Sequence, residues 1–303
     1  MRISLLQDTQ SRGSTLGNFC ATFFRAIRKV GRIVNEMIGA IHHRRKLADY
    51  ADLLPQLGES DAKIVQALHE EGVYVTSLET LGMEANLALL EAASRVVPTL
   101  AKTPGESGID IHAKTSALVA QPDLYRWGLQ ERLLDIADCY LGLPAVFNDL
   151  HCRRDFVNGV KAGSRLWHVD SYDHRILRVF VYLSEVSETT GGFQYVSRQS
   201  KRWLIPILEQ LGTVSEWLVD RLYSPNQIKT CTGGKGTVVF AATGAILHRG
   251  KLPTTGERLT LVFNYNTREV KKSEEAKPTV TSEELREIAK NCTPRQRRSL
   301  LWF

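Results

Sequence analysis

The chain has 303 residues, 43% of them hydrophobic, and carries a formal net charge of +6. That is ample for one well-buried domain with helical additions, and no shift of composition calls for a second. Met1 to Gln10 lacks the apolar run of a secretory signal, and no stretch approaches the roughly 20 apolar residues of a membrane span, so the protein is expected to be neither exported nor integral to a membrane. The five cysteines, Cys20, Cys139, Cys152, Cys231 and Cys292, have no Cys-x-x-Cys spacing. They read as reduced thiols of a cytoplasmic protein.

The charge is concentrated near the start. Between Arg25 and Lys46 seven basic residues face one acid, Glu36, which equals the excess of the whole chain. Phe23, Ile27, Val30, Val34, Ile38 and Ile41 recur at spacings of three or four, with Arg25, Arg28, Lys29 and Arg32 on the opposite side. This predicts a basic amphipathic helix within residues 1–58. Either residues 23–46 lie in an anionic membrane surface, or the apolar face packs on the protein itself or on a second copy of the chain in a homo-oligomer.

Helices are predicted over Asp61–Glu71, Glu84–Val97 and Asp123–Leu141, with a short strand at Gly72–Val75 and a polar loop from Lys102 to Asp110. Strand patterning begins near Ala145. In the segment Asp149–Asp155, Arg153 either faces a pocket, where it binds an acidic group or seats a cosubstrate, or pairs with Asp155. On the strand Leu177–Leu183, Tyr182 shares its face with Arg178 and Phe180 and is a candidate for an inward hydroxyl near the cosubstrate. Residues 201–223 switch to helical patterning and read as an insertion bordering a substrate pocket. A short helix at Ser282–Lys290 follows a charged linker. Arg295, Arg297 and Arg298 then precede Leu300, Leu301, Trp302 and Phe303, so residues 295–303 form either a second interfacial anchor or a tail in a groove.

The chemistry centres on Trp167-His168-Val169-Asp170-Ser171. In an extended chain His168 and Asp170 point to the same side, presenting an imidazole and a carboxylate to one point. His248, at the end of the apolar run Ile246-Leu247, supplies a third ligand. Two histidines and one carboxylate make the facial triad of non-haem Fe(II) oxygenases, with three positions left open for cosubstrate and O2. Arg258, ten residues further on, would clamp the far carboxylate of 2-oxoglutarate through paired charge-assisted hydrogen bonds, and Thr260 on the same face would add a hydroxyl.

The motifs WHVDSYD, LRVFVYLSEVSETTGGFQYVSRQSK, GGKGTVVFAATGAILHRG and ERLTLVFNY, in that order, resemble the phytanoyl-CoA dioxygenase-like branch of the Fe(II)/2-oxoglutarate-dependent oxygenases. The family often has a Gly-Ser-His run where this chain reads Ser197-Arg198-Gln199-Ser200. The resemblance implies an α+β fold with a double-stranded β-helix, or jelly roll, at its core. It divides the chain into an N-terminal segment 1–58, an oxygenase domain 59–267 with the insertion 201–223, and a C-terminal segment 268–303. It assigns Fe(II) to His168, Asp170 and His248, and 2-oxoglutarate to Arg258 and Thr260. It implies hydroxylation of a C–H bond with release of succinate and CO2, the carboxylate of Asp170 arguing against halogenation. Within the resemblance the expected substrate is an anionic glycolipid at the cytoplasmic membrane surface, such as Kdo of the lipopolysaccharide inner core. A soluble amino-acid or natural-product hydroxylase, and a metal-dependent cupin-like hydrolase or isomerase, stay open. No base-reading motif is present, so nucleic acid is not an expected partner.

Overall fold

A computed structural model describes residues 39–101, 108–268 and 280–302. The chain divides between Asp52 and Leu53. Of the first part, residues 39–50 form a helix. The rest of the predicted amphipathic segment, most of the Lys102–Asp110 loop and the charged linker lie outside the described residues.

The strands of the second part are β1 (Val73–Ser77), β2 (Asp110–His112), β3 (Val146–Phe156), β4 (Trp167–His168), β5 (Leu177–Tyr182), β6 (Phe193–Val196), β7 (Thr213–Val214), β8 (Ile228–Cys231), β9 (Thr237–Ala241), β10 (His248–Gly250) and β11 (Glu257–Asn266). One sheet runs β1-β9-β5-β11-β3-β2 and the other β7-β4-β10-β6-β8. From β3 onward the chain changes sheet at each step except from β6 through β7 to β8, which all lie in the second sheet. β3, β5, β9 and β11 belong to the first sheet, and β4, β6, β8 and β10 to the second. This is the double-stranded β-helix, and its pairs are antiparallel throughout.

The two-residue period of a strand decides what faces where. On β5, Leu177, Val179 and Val181 join the apolar layer under the helices Glu59–Glu70, Asn86–Val96 and Glu131–Leu141. Each such side chain stabilises the fold by about 1.5–3 kcal/mol. Phe180 and Tyr182 point the other way and meet Phe193, Tyr195, Val239 and Val262 between the sheets. The interior is therefore apolar in its middle, at Phe180 and Val262, with polar side chains at both ends of β11, where Arg258 pairs with Asp155 and Asn264 stands between Asp149 and Arg178.

The helix predicted over Asp123–Leu141 is two helices, Pro122–Gly128 and Glu131–Leu141. Gly128 lies so close to the sheet that a Cβ there would sit 2.4 Å from the Phe147 ring and 2.8 Å from that of Phe263. Its carbonyl accepts from Tyr265 Oη at 2.6 Å, so it is committed to the sheet rather than to a continued helix.

The insertion forms the helices Ile205–Leu211 and Glu216–Leu222 and covers the outer face of the five-stranded sheet, where Leu204, Leu208, Val214 and Val219 meet Trp167, Val169 and Leu247. At the C-terminus, Thr293 caps the helix Pro294–Leu300. Arg295 pairs with Glu131, Asp135 and Asp138, Leu300 is 1% exposed, and Trp302 is half-buried against Tyr172 and Ile176. These three side chains face the protein. No helix among the described residues is long and apolar enough to cross a membrane.

Candidate active site

Sequence distance hides how close His168 and His248 are. Strand β4 ends at His168 and β10 begins at His248, and the two residues are direct partners across the antiparallel pair. Their ring centroids are 4.3 Å apart. Asp170 lies past the end of β4, in the turn, where its backbone N–H donates to the Thr243 carbonyl at 3.2 Å. One ligand atom from each of the three lies within 4.8 Å of the others, the only such group of three or more found among the described residues.

Each imidazole is fixed in orientation. His168 Nδ1 lies 2.8 Å from the Leu166 carbonyl and His248 Nδ1 3.1 Å from the Ile246 carbonyl. A carbonyl only accepts, so both Nδ1 atoms carry the proton, and in the neutral ring each Nε2 keeps a free lone pair. Burial, with the neighbouring His168, lowers the His248 pKa to about 3. Burial alone would raise that of Asp170, but Arg178, then His248 and His168, outweigh it and hold the carboxyl at about 2. Asp170 Oδ1 is 3.6 Å from His168 Nε2, and Oδ2 is 2.9 Å from Arg178 Nη2. Neutral His248 and ionised Asp170 are the forms that bind a divalent metal at neutral pH.

Beyond the triad lies a buried charge cluster. Arg258, 2% exposed, places Nη2 2.7 Å and Nε 3.2 Å from Asp155 Oδ2, and its Nη1 donates to the Gly191 carbonyl. Arg153 reaches the same carboxylate at 3.3 Å and Asp110 at 3.7 Å, and Arg165 lies 3.9 Å from Asp155 Oδ1. Three guanidiniums thus face two carboxylates, leaving one positive charge in excess in a low-dielectric interior. Burial opposes the charge on Asp155, yet Arg153 and Arg258 overcome it and depress its pKa to about 2. Thr260 stands between Arg153 and Tyr182 in the strand register, and its Oγ1 is buried without a hydrogen-bond partner. Gly250 allows the approach of Arg258, since a Cβ there would lie 3.2 Å from its Nη2. An excess cation beside an orphaned hydroxyl fits a carboxylate ligand such as the far end of 2-oxoglutarate.

A cavity of about 260 Å³ opens onto His168 and His248 and is lined also by Arg153, Arg178, His112 and His151. Arg153 therefore does both things open to it, facing the pocket while pairing with Asp155. Tyr182 points inward, but its hydroxyl donates to the Cys231 carbonyl at 2.9 Å, across the barrel on β8. Arg258 lies behind the cavity wall. Arg178, which holds Asp170, and Arg165 and Asp110, which complete the cluster, escaped the sequence reading. Arg178 shares the inward face with Tyr182, and that alternation was the one signal available for it.

No protein-family model matches the sequence, and no curated protein matches it. Among solved structures the chain is similar to EctD from S. alaskensis in its apoform, with TM-score 0.50 and 19% identity over 71% of this chain and 80% of that one. HygX from Streptomyces hygroscopicus, with nickel, 2-oxoglutarate and hygromycin B bound, aligns at TM-score 0.48 and 16% identity over 69% and 87%. The non-heme alpha ketoglutarate dependent epimerase SnoN from nogalamycin biosynthesis aligns at 0.46 and 14% over 68% and 82%. The likeness to EctD shows the fold, a double-stranded β-helix.

Proposed function

We propose that this chain is an Fe(II)- and 2-oxoglutarate-dependent oxygenase that hydroxylates a C–H bond. The observation that carries the reading is the His168–Asp170–His248 group, with both histidines presenting Nε2, next to a buried cluster that has one guanidinium more than it has carboxylates. Bound Fe(II) with 2-oxoglutarate and O2 supplies the oxidising chemistry, in which one oxygen atom goes to the substrate and the other to succinate as CO2 leaves.

The chain's own residues bind and orient. The Leu166 and Ile246 carbonyls lock the imidazole tautomers. Arg178 occupies one oxygen of Asp170, which favours single-oxygen ligation through the other. Arg258, Arg153 and Thr260 would hold the far carboxylate of the cosubstrate. Phe193, stacked on His248 at 5.4 Å, and Phe180 keep that side of the pocket dry.

Within this class the motif order supports the phytanoyl-CoA dioxygenase-like branch. The pocket lining supports an anionic substrate, since the guanidiniums of Arg153 and Arg178 face it with a single lining acid, Asp110. An anionic membrane-surface glycolipid such as Kdo is the reading that also uses the basic residues 23–46, which would hold the protein on an acidic bilayer. A cavity of about 260 Å³ admits the reacting end of such a molecule rather than the whole.

Anaerobic addition of Fe(II) and 2-oxoglutarate is expected to give a weak visible charge-transfer band, and aerobic incubation to give succinate. Both are lost in His168→Ala and Asp170→Ala. Succinate from a metal-loaded His168→Ala protein would overturn the assignment, and bound iron without the band would move the site to a metal-dependent hydrolase or isomerase. Salt-sensitive sedimentation with anionic liposomes tests the membrane part separately.

A further inference from the structure

A second cavity, of about 250 Å³, has no lining residue in common with the one at the metal triad. Its walls come from five separated parts of the chain. The helix Glu59–Glu70 gives His69, Glu131–Leu141 gives Tyr140, and the turn after Asp170 gives Arg175. Arg198, Arg202 and Glu209 come from the stretch that follows β6, and Gly244 and Ala245 from the turn before β10.

What sets it apart is charge. Arg132, Arg153, Arg154, Arg165, Arg178, Arg249, Arg258 and Arg295 each lie within ion-pair distance of a carboxylate. Arg175, Arg198 and Arg202 do not have one among the described residues, although all three line this cavity with Glu209 as its single acid. Two of them are anchored through one nitrogen only. Arg175 Nη1 donates to the Tyr140 and Leu141 carbonyls at 3.0 and 3.2 Å, and Arg198 Nη1 donates to the His69 carbonyl. Backbone carbonyls orient a guanidinium without cancelling its charge. Their field is felt nearby: burial, then Arg175 and Arg198, lowers the His69 pKa to about 4.

We propose that this cavity binds a phosphate group, as a free phosphate monoester or as the headgroup of an anionic lipid. Three guanidiniums reaching one cavity from two segments, Arg175 from one and Arg198 and Arg202 from the other, match a tetrahedral oxyanion with several acceptor oxygens, whereas a flat carboxylate is satisfied by one or two. The site does not depend on the oxygenase reading, because it involves none of the metal or cosubstrate residues. Both sources are compatible with its border. The segment that supplies Arg202 also leaves Trp203 68% and Ile207 55% exposed, as at a lipid interface.

The test is calorimetric titration of the full-length protein with inorganic phosphate and with glycerol 3-phosphate, and co-sedimentation with phosphatidylglycerol and with phosphatidylcholine vesicles. Arg198→Gln and Arg202→Gln each remove one charged donor and are expected to weaken binding about tenfold. Arg202 is exposed, so Arg202→Gln leaves the fold and 2-oxoglutarate affinity unchanged. Saturable glycerol 3-phosphate binding that weakens in these variants supports the site with a soluble ligand. Phosphatidylglycerol-specific sedimentation that Arg202→Gln diminishes supports it with a lipid headgroup. Absence of phosphate binding in both arms overturns the proposal. Binding undiminished in both variants, or lost instead in Arg153→Gln, overturns it too, the last by placing the anion in the barrel cluster.

Discussion

Replacing Asp155 by Asn keeps the shape of the side chain and removes the carboxylate that three arginines share. Asp155 is 1% exposed, with Arg258 Nη2 at 2.7 Å, Arg153 Nε at 3.3 Å and Arg165 Nη2 at 3.9 Å. Its pKa falls from 3.8 to about 2 against the opposing effect of burial. That shift corresponds to about 2 kcal/mol of stability at neutral pH. Breaking a buried pair on one side costs about 3–5 kcal/mol, because the other charges stay buried. Taking about 3 kcal/mol, Asp155→Asn should lower the melting temperature by about 6–10 °C for a domain of this size. The variant also doubles the excess charge, from one to two. Added 2-oxoglutarate should therefore raise the melting temperature more in the variant than in the wild type, since a bound dianion stabilises the folded state by mass action. Differential scanning fluorimetry with and without 2-oxoglutarate reads both effects. A variant melting within 1 °C of wild type would refute the buried-cluster argument, and an equal 2-oxoglutarate shift in the two proteins would refute the excess-charge argument.

Thr260→Val removes a buried hydroxyl that has no partner, so it should leave stability unchanged or raise it by up to about 1 kcal/mol, while weakening 2-oxoglutarate about five- to tenfold by titration. Weaker stability with unchanged cosubstrate affinity would contradict it. Asp155 also predicts acid sensitivity: its folded pKa is depressed, so the stability it confers is complete above about pH 4 and is lost as pH falls towards 2. Urea midpoints measured at pH 5, 4 and 3 should fall over the last interval, and Asp155→Asn should flatten that part of the profile. Leu300→Ala should cost about 2–4 kcal/mol because the side chain is fully packed, and urea unfolding checks this. A loss under 0.5 kcal/mol would return the C-terminal segment to a loosely held tail.

Local chemistry made part of the site legible. The two-residue alternation placed Tyr182 on the inward face and Val179 and Val181 on the outward one. The His-x-Asp spacing and the distal histidine named a candidate metal group whose ligand atoms the fold brings within 4.8 Å of one another. The break at Gly128 was not legible, because the periodicity of Asp123–Leu141 continues through it and only the rings of Phe147 and Phe263, far along the chain, forbid a longer side chain.

What the sequence determined by itself is what depends on neighbours along the chain: helix and strand periods, the ligand types, and the concentration of positive charge before Lys46. The tertiary structure alone decided pairings between distant segments. It set His248 opposite His168, gave Arg258 to Asp155, turned the Tyr182 hydroxyl to Cys231, and docked Arg295 on Glu131, Asp135 and Asp138. It also gathered Arg175, Arg198 and Arg202 around one cavity. A charge or hydroxyl finds its partner by distance in space, and strand register, which no local pattern encodes for distant strands, sets that distance.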